Sequence, residues 1–292
     1  MPVRFPTDLD RWRNDYVLWV EIFAIFNLAC LALDIYLAHS ANEFLHSAEY
    51  IPFYFSLAAP FLLIAGLLAR DRWSKPAIWR IAGFIVGATA IAVGVAGVIY
   101  HLDSQFFHER TLRSLTYAAP FAAPLAYTGI GLLLIMNRTV DASTIEWAQW
   151  SLVLTLGGFF GNFLLSLADH ATNGFFSPLE WIPVASAAFA VAFLVVPFLM
   201  NVDLRYLILC AGVLAVQAAI GLIGFLLHVA ADFYGPSHNL WDNVVSGAPL
   251  FAPLLFPNLA LLGWIALWAL RSHVPASGPV ARLETGSSPG HT

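Results

Sequence analysis

Histidines, carboxylates and prolines recur in this chain at fixed spacing. His39 stands ten residues before Glu49, Asp103 ten before Arg113, His170 ten before Glu180, and Asp232 ten before Asp242. Eleven residues further on come Pro60, Pro124, Val191 and Pro253, each preceded by an alanine. Without Arg113, the recurring polar positions are two imidazoles and five carboxylates: His39, Glu49, Asp103, His170, Glu180, Asp232 and Asp242. Such donors suit iron, manganese or zinc, and an imidazole-rich set also suits copper. Di-iron carboxylate bundles mix these ligands in a comparable ratio, but their Glu-x-x-His spacing on a single helix is absent here. The parallel is one of ligand chemistry, not of family.

A capping role competes with metal binding. Glu49, Glu180 and Asp242 stand where helices begin, so each carboxylate can satisfy free N–H groups and oppose the positive end of the dipole. His39 and His170 stand where helices end, a position that favours partial positive charge. Capping explains these five residues but not Asp103 and Asp232. Those are anions at helix C-termini, with the wrong sign for the dipole, and each needs a cation, a donor or a metal. Arg113 can serve Asp103, while the turn after Asp232 holds no lysine or arginine.

Other polar residues carry weaker signals. His101 and His228 lie near helix ends and are candidate ligands or outer partners, although an interfacial histidine is more often simply solvated. His46, His108 and His238 read as solvated turn residues. Asp34 lies about one helical turn before His39 and is placed to orient its imidazole. Glu21 reads as a carboxylate snorkelling to the nearer interface. Asn162 and Gln217 are candidates for hydrogen bonds between helices. Gly83, Gly87, Gly94, Gly97, Gly157, Gly158 and Gly161 favour close helix packing.

The elements that position these residues are membrane spans. Stretches at about 17–38, 50–69, 78–101, 115–136, 147–168, 181–200, 205–230 and 248–270 can each cross a bilayer core of roughly 30 Å as a helix. Runs such as Ile81–Ile99 are apolar on every face, which excludes the alternating strands of a barrel. Asp8, Asp10, Arg11, Arg13 and Asp15 leave no cleavable signal peptide, so the first span stays in the membrane. Eleven of the thirteen basic residues flank the N-terminus, the loops after the second, fourth and sixth spans, or the tail. Both termini are therefore expected in the cytoplasm. Seven of the nine histidines gather at the opposite turns.

Those turns organise the chain. The run from His39 through Asn42, Phe44, Glu49 and Ile51 to Pro52 matches His170, Asn173, Phe175, Glu180, Ile182 and Pro183 without a gap. Ala119-Pro120 and Ala123-Pro124 likewise match Ala248-Pro249 and Ala252-Pro253. The expected fold is an all-α integral membrane protein of eight transmembrane helices, built as four parallel two-helix repeats in two similar four-helix halves. The expected divisions are an N-terminal segment 1–16, a first half 17–136, a linker 137–146, a second half 147–270 and a disordered tail 271–292. Prolines at matched depths in the even spans should kink those helices and open a cavity beneath the turns.

Composition excludes other classes. Apolar residues make up 60% of the 292 positions and charged ones 11%, with a single lysine, Lys75. Soluble domains carry about 25% charged residues, so a soluble enzyme, a disordered protein and a nucleic-acid binder are ruled out. Cys30 and Cys210 lie in apolar runs and read as small hydrophobes. The favoured function is a membrane protein, in a bacterial inner membrane, with a His/carboxylate metal site at the non-cytoplasmic face. Redox or hydrolytic chemistry would suit it. One alternative is a metal or small-solute transporter with these residues as its outer vestibule. Another is a haem-binding or accessory subunit of a membrane complex, with other subunits and membrane lipid as partners.

Overall fold

The computed structural model describes residues 15–275, so the expected N-terminal segment and tail lie almost wholly outside the described residues. Within that range the chain is helical and has no strand. Its long helices are α1 (Tyr16–Ser40), α2 (Tyr50–Trp73) and α3 (Pro76–Asp103). Two short helices follow, α4 (Phe106–Glu109) and α5 (Leu112–Thr116), and then α6 (Leu125–Thr139). The second part comprises α7 (Ile145–Thr172), α8 (Trp181–Leu194), α9 (Val196–Leu199), α10 (Leu204–Phe233), α11 (Leu240–Ser246) and α12 (Leu255–Leu270).

The helix starts follow from local chemistry. Asp15, Thr144 and Asp203 accept the N–H of Leu18, Trp147 and Tyr206 at 2.9, 3.4 and 3.0 Å, capping α1, α7 and α10. Ser74 takes a left-handed conformation after α2, and Pro76 opens α3 at the first position, where its missing N–H costs nothing.

Among the described residues, seven helical segments are long and apolar enough to cross a membrane: Tyr16–Ser40, Ser47–Trp73, Pro76–Asp103, Ile145–Thr172, Pro178–Leu199, Leu204–Phe233 and Ala252–His273. The protein is a multi-pass membrane protein. Large apolar side chains such as Phe61, Ile208 and Leu226 project outward, as a surface facing lipid requires.

The expected fourth span, 115–136, does not form one long helix. Pro120 and Pro124 interrupt it, and α6 keeps only fifteen residues, about 22 Å at 1.5 Å each. The expected kink in the last span is likewise a break, with Pro249 in a turn and Pro253 in a 3-10 turn before α12. Of the three matched prolines Pro60, Pro124 and Pro253, Pro60 alone sits well inside a continuous helix. Two prolines four residues apart remove successive donors and push the residues before them out of the α region.

Neighbouring helices pack in chain order, α1 on α2, α2 on α3 and, most extensively, α3 on α6. In the second part α7 packs on α8 and α12, and α10 on α12 and α8. The two groups meet where α6 lies on α7 and α12 on α1. Buried apolar side chains form one cluster around Leu28, Leu63, Val86 and Leu134 and another around Trp147, Phe159, Leu194 and Leu214, which reaches into the first group through Val20, Leu133 and Met136.

Glycine makes the tightest contacts possible. A Cβ on Gly94 would run into Thr128 and the Pro124 carbonyl, and one on Gly221 into Pro257 and the Pro253 carbonyl. Gly97 and Gly224 face the same two prolines, Pro124 and Pro253. Gly157 and Gly161, by contrast, face open space, so their expected packing role is not seen.

Candidate functional site

The site begins with a turn that recurs. After α1 the N–H of Phe44 donates to the His39 carbonyl at 3.0 Å, and after α7 the N–H of Phe175 donates to that of His170 at 3.0 Å. Glu43 and Phe44 have positive φ, as do Gly174 and Phe175. The reversal turns each phenylalanine back over its histidine, with ring centres 5.7 Å apart for His39–Phe44 and 6.1 Å for His170–Phe175. Each phenylalanine also stacks on the first residue of the next helix, Tyr50 at 4.7 Å and Trp181 at 4.0 Å.

Beneath these aromatic lids, His39 Nδ1 lies 3.3 Å from Glu49 Oε2, and His170 Nδ1 lies 3.5 Å from Glu180 Oε2. Both carboxylate oxygens are buried, each with an imidazole as its polar neighbour. In the first pair, Asn42 Nδ2 donates to the other oxygen, Oε1 of Glu49, at 2.9 Å. Neither Glu49 nor Glu180 caps its helix through its side chain. The hydrogen-bonding half of the capping account therefore fails for these two glutamates, while both stand in a first helical turn where a carboxylate opposes the dipole.

A second imidazole approaches each pair. His101 and His228 come from the ends of α3 and α10, and their Nδ1 atoms lie 2.8 Å from the carbonyls of Pro120 and Pro249. A carbonyl only accepts, so Nδ1 carries the proton and Nε2 offers a lone pair. The prolines create that acceptor. A helix would bond the carbonyl of Pro120 to the N–H four residues on, but that residue is Pro124; Pro249 and Pro253 repeat the relation. The His39 and His101 rings sit edge to face with centres 6.4 Å apart. His101 is an electrostatic neighbour of both His39 and Glu49, and His228 of His170. These two histidines, read from sequence as weaker candidates, lie near the pairs; the Pro-x-x-x-Pro spacing was the available signal.

The seven expected ligands do not converge. Among the described residues, no three His, Cys, Asp or Glu side chains are close enough to enclose a metal as they stand. Asp103 is exposed at the end of α3, and no ion pair joins it to Arg113 among the described residues. Asp242 is exposed and accepts from Ser237 Oγ at 3.1 Å and Asn239 Nδ2 at 3.0 Å. Asp232 is buried, and its Oδ1 accepts the N–H of Ala248 at 3.0 Å. That backbone donor answers the unfavourable charge at the helix end. The expected equivalence of Asp103 and Asp232 also shifts. Ala119 N–H donates to Ser104 Oγ at 2.9 Å, so Ser104 holds the place in the first group that Asp232 holds in the second.

At the opposite end lies a different cluster. Glu21 does not snorkel: it is fully buried, with Arg138 Nη2 2.7 Å from its Oε1. The Arg138 guanidinium lies over the Trp79 ring at 3.9 Å. Asn137 donates to the Val17 carbonyl and accepts from the Trp147 indole N–H. Bonds between helices expected of Asn162 and Gln217 are made instead by Asn27 and Asn258, which pair α1 with α12. Asn162 Nδ2 and Gln217 Oε1 are buried without partners, and Asp34 makes no bond to His39.

No protein-family model matches the chain, and no curated protein or solved structure shows significant similarity to it. The class defined by fold and composition is therefore the firm identification: an all-α, multi-pass membrane protein.

Proposed function

We propose that this protein is a membrane metalloprotein with two related first-row transition-metal centres. One centre is built on His39, Glu49 and His101, the other on His170, Glu180 and His228. The observation that carries this reading is the recurring His–Glu pair. Two donors at about 2.0–2.1 Å from a tetrahedral zinc lie about 3.4 Å apart. The pairs stand at 3.3 and 3.5 Å, with the facing carboxylate oxygens buried. His101 and His228, each held through Nδ1 by a proline carbonyl, would supply the third donor through Nε2. Water or substrate completes the coordination.

A metal held by two imidazoles and one carboxylate keeps an open position, where it activates water as a Lewis acid or exchanges electrons. Iron, manganese, copper and zinc all suit these donors. The expected Asp103 and Asp242 stand outside this reading, being exposed and bonded elsewhere or unpaired.

The wider reading is a duplicated bundle. Residues 112–139, with α6, form the eighth crossing: Pro120 meets His101 at one end, and Asn137 meets Val17 at the other. The His-bearing end faces away from the cytoplasm of a bacterial inner membrane, with membrane lipid around it and other subunits of a complex as potential partners.

Purified protein in detergent should contain about two equivalents of iron, manganese, copper or zinc by elemental analysis. His39→Ala/His170→Ala should lose both, and Glu49→Gln/Glu180→Gln most of them, while the helical circular-dichroism signal stays intact. A folded wild type that neither contains nor takes up any of these metals would overturn the reading. A Soret band removed by the histidine substitutions would assign the imidazoles to haem instead.

A further inference from the structure

The second group of helices carries a cleft of its own. Where the chain leaves α10 and returns through α11, it encloses about 280 Å³, with Ala231, Pro236, Gly247 and Ala248 among the walls. Local bonds fix this loop. Asn243 Oδ1 accepts the Ser237 N–H at 2.9 Å, and Asn243 Nδ2 donates to the Ser237 carbonyl at 3.0 Å. Gly235 and Gly247 also line the cleft; a Cβ on the first would strike the Asn243 amide, and one on the second Oδ1 of Asp232. Two carboxylates, Asp232 and Asp242, complete the lining, and no lysine, arginine or histidine is among the described residues that form it. Asp242 is exposed, and its oxygens already accept from Ser237 and Asn239. Asp232 is only 3% exposed: Oδ1 accepts the Ala248 N–H at 3.0 Å, and the buried Oδ2 has no hydrogen-bond partner among the described residues. The first group differs in charge, with Ser104 in the place of Asp232 and, in the ten-residue register, Arg113 in that of Asp242.

We propose that this cleft is a binding site for a small organic ammonium ion, separate from the metal centres and independent of them. A buried carboxylate oxygen without a donor is unfavourable, and an ammonium N–H supplies both the missing hydrogen bond and the opposite charge. Asp242 adds negative potential at the rim, while Ala231, Pro236 and Ala248 offer apolar contact to a short alkyl chain. A hard divalent cation fits less well, because it takes about six to eight oxygen ligands and one of the two carboxylates here is already satisfied. The volume is below the range of about 300–1,000 Å³ that suits drug-sized ligands, which limits the occupant to a few heavy atoms.

Isothermal titration of the full-length protein in detergent with n-butylammonium, and with 1-butanol as its neutral counterpart, tests the proposal. Wild type should bind about one equivalent of butylammonium and no butanol, and prior treatment with a metal chelator should change neither result. Asp232→Asn keeps an acceptor for Ala248 and should weaken binding by about ten- to a hundredfold. Ala231 is exposed on the cleft wall, so Ala231→Leu should block the cleft while leaving the carboxylate in place. Asp242→Asn should have a smaller effect that fades at high salt. Folded wild type that ignores butylammonium at millimolar concentration would overturn the site. So would equal binding of butanol, or binding unmoved by both Asp232→Asn and Ala231→Leu. Displacement of butylammonium by an equal concentration of Ca²⁺ would assign the cleft to a metal ion and overturn the ammonium reading.

Discussion

At the residue scale, the decisive features are polar atoms whose partners come from distant parts of the chain. Glu21 and Arg138 are both buried, and their bond joins α1 to α6 near the end opposite the histidines. Removing one member leaves an uncompensated charge inside the bundle, whereas removing both leaves none. Arg138→Ala should cost about 3–5 kcal/mol, and Glu21→Leu/Arg138→Met should recover most of it. Thermal unfolding in detergent would decide; a double variant no more stable than the single one would contradict this account. Sequence alone marked Glu21 as unusual because an acid at membrane depth is expensive. It did not pair Glu21 with Arg138, which lies 117 positions away and resembled an ordinary loop-flanking arginine. Asp232 follows the same pattern: its misfit at a helix end was legible, and its Ala248 donor was not.

At the element scale, turns and breaks determine where side chains arrive. Glu43 holds positive φ in the turn after α1, whereas the matching position after α7 is Gly174. A side chain in the left-handed region costs roughly 1–2 kcal/mol, so Glu43→Gly should raise the unfolding midpoint; a lower midpoint would contradict the turn strain. Glycines on α3 should respond in the opposite sense. Gly94→Val drives a branched side chain into Thr128 and the Pro124 carbonyl and should destabilise by several kcal/mol, about what a steric core clash costs. Gly157→Ala fills open space on α7 and should be neutral or stabilise by about 0.5–1 kcal/mol. Comparing the two midpoints tests the packing directly. The prolines were visible in the sequence as kinks. They proved to be breaks because Pro120 and Pro124 act together, and the freed carbonyl is what receives His101.

At the scale of the whole molecule, two helix groups meet along α1, α6, α7 and α12, and the larger core cluster crosses that seam through Val20, Leu133 and Met136. All the His–Glu–His positions lie at one end and the Glu21–Arg138 pair at the other. The proposed orientation places the first end outside the cytoplasm. In a protein lacking Cys30 and Cys210, a cysteine at His238 should react with a membrane-impermeant maleimide on intact bacterial cells. A cysteine at Ser143 should react only after lysis. The reverse pattern would invert the topology, and labelling of both positions in intact cells would contradict a single orientation.

The sequence by itself determined the solvent, the secondary structure and most of the spans, because hydropathy is a local property and a helix in lipid satisfies its own backbone. It also marked the His-x₉-Glu spacing as a candidate site, since both residues of each pair belong to one turn. Only the tertiary structure decided which further groups join them. His101 meets Pro120 across 19 residues and His228 meets Pro249 across 21, and Ser104, not Asp103, takes the place beside Ala119 that Asp232 takes beside Ala248. Such partnerships depend on how helices pack and how deep each one ends, and no periodicity along a single helix encodes that.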